Sequence, residues 1–121
     1  MAAATFKANL KINQGATYKD EWTWSTGEEP DIEPVDLTGC TARAQFRPSA
    51  DSTTELLDMT TENGRIILGG ALGTVQILID SDTTTSFTWT EGVYDLEIVH
   101  PSGTVRRLMQ GSVTISPEVT R

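Results

Sequence analysis

Short runs of strictly alternating apolar and polar residues, each closed by a turn signal, recur along the chain and constrain its fold more than any other feature. Cys40, Ala42, Ala44 and Phe46 alternate with Thr41, Arg43, Gln45 and Arg47. This is the period of two of a strand with one face buried, and Pro48 ends it because proline cannot donate to a ladder. Phe6, Ala8, Leu10 and Ile12 alternate with Lys7, Asn9 and Lys11 in one expected strand, closed by Asn13-Gln14-Gly15. A second is expected from about Thr17 to Thr26, with Tyr18, Trp22 and Trp24 on one face, breaking at Gly27.

Further on, Leu57 and Met59 belong to a short strand, and Glu62-Asn63-Gly64 is expected to return the chain as a hairpin through Arg65 to Leu68. Val75, Ile77 and Ile79, with Leu78 between them, mark a strand apolar nearly all round and therefore central. Asp80-Ser81-Asp82 before a threonine-rich run predicts a helical turn or two capped by Ser81 or Asp82. Tyr94, Leu96 and Ile98 define the next strand, which turns at Pro101-Ser102-Gly103. Val105, Met109, Val113 and Ile115 define the last, with Gly111 as a bulge or bend.

Seven or eight short strands, turn signals about every ten residues and one weak helix predict an all-β fold, a two-sheet antiparallel sandwich rather than a barrel. The alternation places Phe6, Leu10, Trp22, Phe46, Val75, Ile77, Tyr94, Leu96, Ile98, Val113 and Ile115 in its core. At 121 residues the chain has apolar sequence for one such core, so residues 1–121 read as a single domain.

Apolar residues at 37% and charged residues at 21% fit neither a disordered tail nor a membrane protein. The longest weakly polar run, Ile66 to Gly73, is far short of the roughly 20 residues a spanning helix needs. The N-terminal residues show no secretory pattern, which makes cytoplasmic assembly the expectation. A net charge of −8 opposes nucleic-acid binding, which draws its affinity from Lys and Arg. Cys40 is the only cysteine, so no intrachain disulfide forms, and its place on an apolar face reads as a small core hydrophobe.

Signs of chemistry are few. His100 is the only histidine and stands before Pro101 in a turn, without a recognisable nucleophile and orienting carboxylate. No phosphate-cradling or dinucleotide-binding glycine pattern and no H-E-x-x-H occurs. Neither a catalytic residue nor a cofactor is expected, although seventeen acidic residues leave a glycosidase-type carboxylate pair open. Glu28, Glu29, Asp31, Glu33 and Asp36 put five carboxylates within nine residues, a conceivable calcium loop. It lacks the D-x-D-x-D-G order and reads as a solvated connection, and Asp80 and Asp82 read as helix caps. Trp22 and Trp24 read as core, and Trp89, at a loop boundary, as an exposed anchor for a partner or a glycan. Arg43 and Arg47 lie on the polar face of their strand, placed for a partner's salt bridges.

The order of segments carries a resemblance. Leu10-Lys11-Ile12-Asn13-Gln14-Gly15-Ala16 leads to Pro34-Val35-Asp36-Leu37-Thr38-Gly39-Cys40-Thr41-Ala42-Arg43 and then to Thr61-Glu62-Asn63-Gly64. Gly92-Val93-Tyr94-Asp95-Leu96-Glu97-Ile98 and Arg107-Leu108-Met109-Gln110-Gly111-Ser112-Val113-Thr114-Ile115 follow. Over nearly the whole chain this resembles the N-terminal domain of phage baseplate upper proteins and small stand-alone tailed-phage structural proteins.

The resemblance implies an Ig-like sandwich in a virion, attached to tail or baseplate, present in many copies by particle symmetry and helping to carry components such as tail fibres. It carries over no functional residues. A capsid-exterior decoration protein and, from another class, a carbohydrate-binding module are the alternative expectations. The ends, about residues 1–5 and 116–121, have no strand pattern, and Pro117 prevents simple continuation of the last strand. Met1, Thr5, Pro117 and Arg121 are therefore expected to mark docking ends.

Overall fold

A computed structural model describes residues 6–27 and 30–120. In chain order it holds β1 (Phe6–Lys7), β2 (Leu10–Asn13), β3 (Tyr18–Thr23), β4 (Ser25–Thr26), β5 (Glu33–Pro34), β6 (Thr41–Arg47), β7 (Leu57–Thr60) and β8 (Ile66–Leu68). A 3₁₀ turn (Gly70–Leu72), β9 (Thr74–Ile79), α1 (Ser81–Thr85), β10 (Glu91–Val99) and β11 (Val105–Ser116) follow.

The larger sheet runs β7-β6-β10-β11, with β1 and β2 both on the far side of β11. The smaller sheet is β3-β9-β8, and β4 pairs only with β5. Three strands facing a sheet that carries an added strand at one edge is the order of an immunoglobulin-like sandwich. Its pairings are antiparallel except that β1 and β2 each lie parallel to β11, against the expected all-antiparallel arrangement. Parallel neighbours need a long crossover connection. Here almost the whole domain supplies it, and local periodicity carries no record of so distant a pairing.

Alternation becomes burial most cleanly in β10, where Tyr94, Leu96 and Ile98 point inward, and in β6, where Ala42, Ala44 and Phe46 do. β9 is the middle strand of its sheet and buries Val75, Ile77 and Ile79. Leu10, Val113 and Ile115 also lie in the core, whereas Phe6 and Trp22 are half-buried at its margin because their strands are sheet edges. Phe46 is fully enclosed, a burial that stabilises the fold by about 2–3 kcal/mol.

The expected first strand is split. Between β1 and β2 the Ala8 carbonyl accepts the Tyr94 hydroxyl at 2.6 Å, while Asn9 Oδ1 accepts the Ser112 amide at 3.1 Å. Tyr94 pairs directly with Gly111, and a Cβ at Gly111 would lie 2.3 Å from the Ala8 oxygen. Gly111 therefore permits a close backbone approach and is not the bulge. The bulge in β11 is at Leu108, where the pairing with β10 shifts between Leu96–Met109 and Glu97–Arg107, so that Leu108 and Met109 are consecutive and both buried.

Two other local expectations are corrected. Glu62-Asn63-Gly64 closes no hairpin: β7 pairs with β6 and β8 with β9, so this turn carries the chain from one sheet to the other. The hairpin is β8–β9, through the 3₁₀ turn. Gly73, at φ 70°, ends that turn, and a Cβ there would sit 2.6 Å from the Trp24 carbonyl. α1 is capped by Asp80, ahead of both expected caps, because Asp80 stays extended after β9 and accepts the Thr83 amide at 3.2 Å. Thr84, the one buried polar side chain among the described residues, accepts from Gly15 N at 3.1 Å and lies 2.9 Å from the Ala16 carbonyl, tying α1 to the β2–β3 turn.

Candidate functional site

The outward side chains of the larger sheet form a concave polar face. A depression of about 850 Å³ is lined chiefly by Arg43, Gln45 and Arg47 of β6, Asp95 and Glu97 of β10, and Arg107 of β11. Register places Arg43 opposite Glu97, and their side chains pair at 2.9 Å. Arg107 reaches Asp95 at 3.3 Å. Arg47 donates to the Ser52 carbonyl at 3.1 Å and to Gln45 Oε1, and Gln45 donates in turn to Glu55 at 3.2 Å and Asp58 at 3.4 Å. Both arginines expected to meet a partner are thus on the outer face and already engaged within the chain. Such exposed pairs stabilise a fold by no more than about 1 kcal/mol each, so a partner can exchange them at small cost.

Trp89 is not the exposed anchor expected. It is half-buried, edge-on to Phe46 with ring centroids 5.8 Å apart and tilted against Phe87 at 4.9 Å. Trp24 is buried, its indole N–H enclosed without an acceptor among the described residues, and Trp22 is half-buried.

Sequence reasoning missed one pairing. Cys40 Sγ and His100 Nδ1 lie 3.4 Å apart, joining positions that only the fold brings together. Burial, with a smaller contribution from Asp36, pushes the Cys40 thiol up, the reverse of what a nucleophilic thiolate needs. His100 Nε2 is enclosed with no partner among the described residues, and none of their carboxylates orients the imidazole as in a catalytic triad. The pair has the makings of a weak structural contact.

Of the acidic connection, Asp31 and Glu33 are exposed, and Asp36 accepts from Thr38 N at 3.0 Å and Thr38 Oγ1 at 2.6 Å, which holds its carboxyl below the usual range. Glu28 and Glu29 lie outside the described residues. No group of three His, Cys, Asp or Glu side chains placed to hold a metal occurs among the described residues. Met1, Thr5 and Arg121 also lie outside them. Pro117 is exposed, but the tail around it rests on its own domain: Gln14 N donates to the Ser116 carbonyl and Glu118 N to Gln14 Oε1, both at 2.9 Å.

No protein-family model matches the chain, and no curated protein matches it.

Proposed function

We propose that the chain is a non-enzymatic docking domain of a tailed-bacteriophage particle, associated with tail or baseplate and carrying other virion components such as tail fibres. The resemblance in segment order supplies the phage context. The observation that carries the docking part is the concave outer face of the larger sheet, whose charges are arranged in exchangeable pairs across neighbouring strands. Polar surfaces of this kind suit assembly contacts that gain strength from repetition in a symmetric particle.

The test is a difference map between particles with and without this protein, made from the genome that encodes it. Density at the tail or baseplate is the expected result. Density distributed over the capsid lattice would replace the reading with a decoration role, and absence of the chain from purified particles would overturn it.

A further inference from the structure

The strand edges of this sandwich are not equally open, and the differences are set by named side chains. In β7 the Thr61 amide bonds the Ala42 carbonyl, a phase that turns the backbone groups of Asp58 and Thr60 off the sheet. Asn63 then closes them: its Oδ1 accepts the Thr60 amide at 3.0 Å, and its Nδ2 donates to the Asp58 carbonyl at 3.1 Å, where Arg65 also donates at 2.9 Å. In β3 the Glu21 amide is taken by Asp20 Oδ1 at 2.9 Å, and Asp20 shares its strand face with Tyr18 and Trp22. A carboxylate on the core-facing side is a known guard against strand addition. β8 is only three residues long.

At the β1–β2 edge no side chain among the described residues caps the outward backbone groups as Asn63 and Asp20 do. The Ala8 amide bonds Gln110 and the Gln14 amide bonds Ser116, so even-numbered residues of β1 and β2 face β11 and the backbone groups of Lys7, Lys11 and Asn13 point outward. Of these groups only the Asn13 carbonyl is satisfied among the described residues, by the Ala16 amide. The same residues present their side chains to solvent, and neither Lys7 nor Lys11 meets a carboxylate among the described residues. Lys7 also lines the concave face, making edge and depression one continuous surface.

We propose that the edge from Lys7 to Asn13 is completed by an extended acidic segment of a different polypeptide, added as a further strand with carboxylates opposite Lys7 and Lys11. The inference deepens the docking reading and rests on it. Main-chain bonds supply affinity in such strand addition, and the side chains supply choice of partner. A second copy is the wrong occupant. Pairing this edge with itself sets lysines against lysines in a narrow strip, and the other edges of the copy are closed, guarded or short.

The probe is an end-capped eight-residue peptide of alternating Val and Glu, with a Val–Lys peptide as counterpart, read by residue-resolved amide exchange. The expected result is at least about tenfold slower exchange at Lys7 and Lys11 with the acidic peptide alone. Lys11→Pro removes an outward amide without touching a bond to β11 and abolishes that protection. Lys19→Pro, the matched change on β3, leaves it intact. If Lys11→Pro does not fold, the double charge reversal Lys7→Glu with Lys11→Glu keeps the backbone and exchanges the preference to the basic peptide.

Protection at β3, β7 or β8 instead, equal response to both peptides, or none at any edge would overturn the inference. In particles, loss of Lys11→Pro but not of Lys19→Pro supports it. Normal incorporation of both sinks the edge and leaves the docking reading standing, whereas absence of the unaltered protein sinks the docking reading while the peptide result still decides the edge.

Discussion

Tyr94 donates its hydroxyl to the Ala8 carbonyl at 2.6 Å across the bare face of Gly111, and this contact decides how the N-terminal strand meets the sheet. The carbonyl turns away from Ser112, Asn9 supplies the acceptor in its place, and one strand becomes two in unchanged register. Burial pushes the Tyr94 phenol up, keeping it a donor through the physiological range.

Tyr94→Phe leaves the Ala8 carbonyl turned inward without its donor, at an expected cost of about 1–3 kcal/mol. Gly111→Ala is expected to cost a similar amount by overpacking against that oxygen. Denaturant midpoints measure both, and faster amide exchange at Ala8 and Leu10 distinguishes detachment of the strand from global loss. Wild-type midpoints in both variants would contradict this account.

Thr84→Val keeps the shape and removes the oxygen that accepts from Gly15. A buried donor left without a partner costs about 1–3 kcal/mol, so Thr84→Val is expected to melt well below Thr84→Ser, which keeps the hydroxyl. Thr84→Ser melting below Thr84→Val would show that the methyl group, not the hydroxyl, secures α1.

Acid stability should depend on Asp80. The Thr83 side chain and amide hold its carboxyl below the ordinary value. With the folded pKa below the unfolded one, the stabilisation is complete above the unfolded value of about 4 and is lost as pH falls through the lowered one. Asp80→Asn keeps a capping oxygen that does not titrate. Its stability should fall less steeply below about pH 4 than that of the native chain, measured by circular dichroism across an acid titration. An identical slope would place the acid sensitivity elsewhere.

Asn63→Ala should open the β7 edge. Loss of both contacts frees the Thr60 amide and weakens satisfaction of the Asp58 carbonyl, so concentration-dependent self-association is expected at a loss of about 1–2 kcal/mol in stability. Sedimentation at two concentrations reads it, and a strictly monomeric variant would argue that Arg65 alone closes the edge.

The inward faces of β6, β9 and β10 were legible in the sequence because alternation reports directly which side of a strand is buried. It does not report which strand lies alongside. Glu62-Asn63-Gly64 has the composition of a hairpin turn, yet its partners are chosen by the sheets it joins. Gly111 announces an irregularity, but only the distant Ala8 shows that it is a close approach. The Cys40–His100 contact and the Asn63 closure of β7 arise where long-range packing brings side chains to groups no local pattern names. Trp89 looks like a loop anchor in the sequence, and Phe46 and Phe87 draw it onto the core.

The parallel pairing of β1 and β2 with β11 also sets how the domain bears load. Phe6 lies beside Met109 and Asn13 beside Ser116, so the chain enters at one pole of the sandwich and leaves from the other on adjacent strands, about 25 Å apart. Tension applied through Phe6 and Ser116 pulls the two strands past each other along their length. Their hydrogen bonds are then loaded together in shear, not opened one after another as in peeling, which raises the force at which the first strand parts from the last.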